Sequence, residues 1–96
     1  MEISVTVRHT SEPEDIKERA RELVEKLARR AHRPQNAKVV LYHEHDRCVA
    51  ELKMRLAGGQ MIVASAEAGE FRTALDRMMD KASAQLDKTA KVVGRQ

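Results

Sequence analysis

Large aromatic side chains are almost missing from this chain: Tyr42 and Phe71 are its only tyrosine and phenylalanine among 96 residues, and there is no tryptophan. That scarcity argues against a module that reads single-stranded bases by stacking them on exposed rings. Cysteine occurs once, as Cys48, so no internal disulfide can close and disulfide-stabilised secretion is not expected. The opening Met1-Glu2-Ile3-Ser4 offers no apolar signal region, and no apolar run approaches the roughly 20 residues of a membrane span. The expected location is the cytoplasm. Neither glycine pattern that cradles phosphates, GxxxxGK[ST] or GxGxxG, occurs. No repeat, low-complexity tract or linker interrupts the sequence, so one domain over residues 1–96 is expected.

What the chain has in abundance is charge. Charged residues make up 34% of it, apolar residues 42%, and the formal net charge is +3. The pI of about 9.3 is mildly basic. A small net charge can hide a strong local field, and the usual partner of a positive field is a phosphate backbone.

Periodicity gives the elements. Residues 2–8 alternate, with Ile3, Val5 and Val7 against Ser4, Thr6 and Arg8, which predicts a half-buried strand. Ser11-Glu12-Pro13-Glu14 is a capping box with proline in the first helical turn. Ile16, Ala20, Leu23, Val24, Leu27, Ala28 and Ala31 then follow at helical spacing, predicting a helix over about 12–32 that stops before Pro34. Strands are predicted over about 37–44, 47–57 and 60–66. His45-Asp46 turns the first pair, and Gly58-Gly59 supplies a two-residue hairpin for the second. Glu51, Lys53 and Arg55 make the second sheet face a solvated one. A second helix over about 70–92 buries Phe71, Leu75, Met78, Met79, Ala82, Leu86 and Ala90. Met54, Met61, Met78 and Met79 read as core filler, and Ala64 and Ala66 as small residues that let this helix approach the sheet. The expected fold is α+β, a two-layer β-α-β-β-β-α arrangement. Its four-stranded mixed sheet carries both helices on one face, as in double-stranded-RNA-binding domains.

Each helix sorts its charges by sign. At about 100° per residue, Arg19, Lys26, Arg30 and Arg33 fall close together on the first. Arg77, Lys81, Lys88 and Arg95 do so on the second, with Asp76, Asp80 and Asp87 on its opposite flank. The bland reading is a solvated surface with i,i+4 pairing. The sharper one is a set of cations fixed on a rigid scaffold that neutralises phosphates and recognises folded RNA by shape.

The fourth strand and second helix carry a resemblance. Ile62-Val63-Ala64-Ser65-Ala66-Glu67, then Ala74-Leu75-Asp76, Asp80-Lys81 and Gln85-Leu86-Asp87-Lys88, resemble the ribosome hibernation-promoting factor and ribosome-associated inhibitor (protein Y) family. That family was long described as sigma-54 modulation proteins. Lys17-Glu18 and Lys26-Leu27 on the first helix fit it too. The resemblance covers the chain in the manner of a short member or an N-terminal domain. It implies a non-enzymatic factor for stress or stationary phase that binds the small ribosomal subunit and its rRNA, in the channel where messenger and transfer RNA lie, and blocks translation. By resemblance the RNA contacts are Lys26, Lys81 and Lys88. The charge pattern adds Arg19, Arg30, Arg33, Arg77, Lys91 and Arg95. A general double-stranded RNA binder and a protein–protein module acting on a transcription complex are the rival readings.

No catalytic set emerges. His43, His45 and Cys48, with Glu44 and Asp46 between them, read as a polar strand end and turn rather than a closed four-ligand metal site. Cys48 has no orienting group for nucleophilic work. No cofactor, metal or small-molecule substrate is expected, and the sequence leaves the oligomeric state open, a monomer included.

Overall fold

Alternation and helical periodicity become structure in the expected order. The computed structural model describes residues 1–8 and 14–94, with side chains as far as Lys88. Strand β1 spans Glu2–Arg8, helix α1 Glu14–Arg30, β2 Pro34–Glu44, β3 Arg47–Leu56, β4 Met61–Ala68 and helix α2 Phe71–Gly94. The predicted capping box lies largely outside the described residues.

The sheet order is β1-β2-β3-β4. β1 runs parallel to β2, while β2, β3 and β4 form an antiparallel meander. Register assigns the two faces. Val5 lies beside Val39, Val39 opposite Leu52, and Leu52 opposite Ala64, and this row points to the core. The next row, Ser4, Lys38, Lys53 and Val63, points the other way because side chains alternate with period two.

Both helices cover the same face. Ala20, Val24 and Leu27 of α1 and Phe71, Leu75, Met78, Ala82 and Leu86 of α2 belong to one buried cluster with the inward sheet residues. Burying a leucine such as Leu52 or Leu75 contributes about 1.5–3 kcal/mol. Small residues set the spacing: Ala64, Ala66 and Ala68 on β4 meet Ala74 and Ala82 on α2, all buried.

Several expectations shift. α1 stops at Arg30, and β2 starts at Pro34, three residues earlier than periodicity predicts. Pro34 disfavours the right-handed helical region for the residue before it, and Arg33 takes a positive φ of 50 in the turn between α1 and β2. The carbonyl of Arg33 accepts the Ala57 N–H at 3.0 Å, tying this turn to the far hairpin. That hairpin is longer than two residues. Ala57–Gly59 make a short 3-10 turn, closed by the Leu56 N–H donating to the Gln60 carbonyl at 2.8 Å. Gly58 and Gly59 do take positive φ, 85 and 83. β4 continues to Ala68. Met61 is not core filler. It pairs with Arg55 on the open face and is 44% exposed, because Ile62 occupies the inward position.

Candidate nucleic-acid interface

Burial of Ala20, Val24 and Leu27 turns one flank of α1 toward α2. Arg19, Leu23, Lys26 and Arg30 occupy that flank. Burial of Leu75, Met78, Ala82 and Leu86 likewise turns Asp76, Met79, Asp80, Ser83 and Asp87 toward α1. The two flanks meet in ion pairs: Arg19 Nη2 lies 3.0 Å from Asp76 Oδ1, and Arg30 Nη2 lies 2.7 Å from Asp87 Oδ1. Arg30 Nη1 also donates to Ser83 Oγ at 2.6 Å. All four charged side chains are a third or more exposed, so each pair contributes about 0–1 kcal/mol. Between these pairs runs an open groove of about 200 Å³ with Lys26 and Asp80 on its rims.

The basic flank of α2 faces the other way, toward the outer edge of β4. Arg77 Nη1 donates to the Glu67 carbonyl at 2.9 Å, and Lys81 Nζ to the Ser65 carbonyl at 2.9 Å. Gln85 Nε2 donates to the Val63 carbonyl, while the Val63 N–H donates to Gln85 Oε1 at 3.0 Å. Positions 77, 81 and 85 are successive turns of one helix face. They follow alternate residues of an edge strand, whose outward backbone groups would otherwise stand open to pairing.

The predicted cations whose side chains are described therefore do not merge into one patch. Lys26 and Arg30 line the groove between the helices, and Arg19 stands beyond it in its pair with Asp76. Arg77 and Lys81 lie beyond the aspartate flank of α2, at the sheet edge. The two stripes stay apart because α2 carries its acids on the side that meets α1. Lys26 and Lys88 are exposed, and among the described residues no carboxylate comes within 4.0 Å of either. Arg33 is exposed in the turn before β2. The Lys91 side chain and Arg95 lie outside the described residues.

Sequence reasoning also missed a cap on the opposite sheet edge, where Arg21 Nη1 donates to the Ile3 carbonyl at 2.9 Å. The i,i+4 spacing of Arg77, Lys81 and Gln85 was a readable signal for their ladder; nothing local marked Arg21.

Cys48 is buried, with Sγ 3.7 Å from the Gly69 carbonyl oxygen. The His43 ring packs against Phe71 with centroids 5.0 Å apart. Among the described residues no group of three or more His, Cys, Asp or Glu is placed to hold a metal ion, and no helix is long and apolar enough to cross a membrane.

Comparison with known proteins adds three findings. The family described as "Sigma 54 modulation protein / S30EA ribosomal protein" matches residues 3–92. The fold is similar to that of a ribosomal subunit interface protein from Coxiella burnetii, with TM-score 0.74 and 24% identity over 95% of this chain and 99% of that one. It is also similar to the N-terminal domain of Thermus thermophilus Protein Y, with TM-score 0.79 and 24% identity over 93% of this chain and 99% of that one. No curated protein sequence matches the chain.

Proposed function

The chain belongs to the sigma 54 modulation protein / S30EA ribosomal protein family, and from that premise we propose that it is a non-enzymatic, ribosome-associated translation inhibitor. It acts in the cytoplasm of stressed or resting cells and occupies the small-subunit rRNA channel. The family match across nearly the whole chain carries this reading. The charged helix layer is its physical counterpart.

The contacts are cations on the helices. Lys26 and Lys88 stand free of described carboxylates, so each can neutralise a phosphate and release its counterions. Arg30 spends two of its five N–H donors on Ser83 and Asp87, and the remaining ones suit a phosphate at the groove rim. Arg19, Arg33, Arg77, Lys81, Lys91 and Arg95 form the outer set. Asp76 and Asp87 are offset by Arg19 and Arg30, while Asp80, in no described ion pair, repels phosphate between the two stripes. It steers the RNA backbone over the rims rather than across the helix pair. Recognition is by spacing and shape, since among the described residues neither helix offers an exposed ring for stacking.

Cell-free translation tests this. The wild-type protein inhibits it. The double variant Lys26→Glu, Lys88→Glu loses potency by roughly tenfold or more, with its melting temperature unchanged. Equal potency of the two proteins would reject the helix-borne contacts.

A further inference from the structure

The sheet face turned away from the helices carries its own charge pattern. Toward its distal end Arg47 Nε lies 3.9 Å from Glu67 Oε1, a matched pair, and the neutral Tyr42 hydroxyl donates to Glu51 Oε2 at 2.9 Å. On its other half charges are not matched. Lys38 and Lys53 sit directly opposite each other across the β2–β3 pair, where Cβ atoms are about 4.5–5.5 Å apart. Arg55 follows Lys53 on the same face of β3, about 6.6 Å along the strand. Arg8, Lys38 and Lys53 line a cleft of about 120 Å³ together with Val40 and Glu51.

Glu51 is the cleft's one carboxylate, and its Oε2 is already held by Tyr42. Glu2 stands at the rim, two residues from Ser4 on β1. Among the described residues, neither acid comes within 4.0 Å of Arg8, Lys38, Lys53 or Arg55. Like charges placed directly opposite on a sheet destabilise it. A fold that keeps such a pair, while matching charges on the same face a few residues away, holds a cost that an external anion would remove.

We propose that this half of the open sheet face is a second phosphate-binding surface, which holds the backbone of an RNA strand on the side opposite the helices. Lys38 and Lys53 clasp one phosphate over Val40, and Arg55 reaches the next. Contacts go to the backbone and not to bases, because among the described residues this half of the face offers no free ring: the half-buried Tyr42 is tied to Glu51. The choice of RNA rests on the function proposed above; the anion site itself does not. A chain with cations on both of its broad faces can bridge two segments of folded RNA.

The test titrates the isotope-labelled full chain with a short oligouridylate at low salt and follows the backbone amides. Shifts are expected at Lys38, Lys53 and Arg55. The Lys38→Glu variant binds the oligonucleotide about fivefold or more weakly, and its salt slope falls by about one. Its melting temperature rises by about 1–5 °C, because the substitution sets opposite charges across the strand pair. The opposed signs separate a functional site from a merely structural one. Shifts confined to the helices, unchanged affinity in the variant, or an equal response to polyglutamate or to inorganic phosphate would each overturn the proposal. The Lys26→Glu, Lys88→Glu protein keeps the sheet-face shifts, so a failure of the helix-borne contacts leaves this readout intact.

Discussion

Ala64 shows how much one side chain decides. It is 5% exposed, opposite Leu52 on β3 and beneath α2. Ala64→Leu would force extra methylenes between sheet and helix and cost about 1–3 kcal/mol by overpacking. Urea denaturation should show a lower midpoint at an unchanged slope; an unchanged midpoint would mean that the helix does not close on this strand. Tyr42 offers a second residue-level test, made clean by its being the sole tyrosine in a chain without tryptophan. Its hydroxyl donates to Glu51, and this bond, with some burial and the Glu51 charge, raises its pKa above the ordinary 10.0. A raised phenol pKa means that the fold favours the protonated form. The stabilisation is therefore complete below pH 10 and is lost as pH rises through the folded value. Ultraviolet titration of the native protein should give a midpoint above 10.0, and Glu51→Gln should bring it down. Coincident titrations of the native and unfolded chains would remove the Tyr42–Glu51 bond from the account.

At the scale of elements, the side-chain ladder on α2 is the feature with the clearest consequence. Arg77, Lys81 and Gln85 occupy the outward backbone groups of β4. Replacing all three with alanine removes bonds contributing about 0.5–1.5 kcal/mol each and leaves a strand edge open. Light scattering should then detect a larger species than the parent gives; an unchanged mass would show that the edge needs no cover. The elements themselves were largely legible, because the periods of 2 and 3.6 are strong signals in β1, β3 and both helices. The boundaries were less so. β2 extends back to Pro34 through an irregular pairing at Pro34/Asn36, which no local pattern announces. Met61 and Val63 both point outward, yet in sequence they sit in an apolar run beside Ile62, and only the pairing with β3 tells the two faces apart. The charge stripes were legible as stripes. Their partners were not, because Arg19 meets Asp76 and Arg30 meets Asp87 across 57 residues of chain.

The described residues form two layers, the chain's family is that of an S30EA ribosomal protein, and its charges are divided between surfaces. Helix-borne cations line a groove and a sheet edge, with aspartates between them, and a second basic area lies on the far face. Such an arrangement favours a partner that surrounds the protein, as a channel in folded RNA does, over a single flat duplex. The most direct measurement is co-sedimentation with separated ribosomal subunits over a salt series. The account predicts association with the small subunit that weakens linearly in log–log terms with added salt, at a slope of several counterions, and flatter for the Lys26→Glu, Lys88→Glu protein. Binding that is indifferent to salt, or confined to the large subunit, would contradict it.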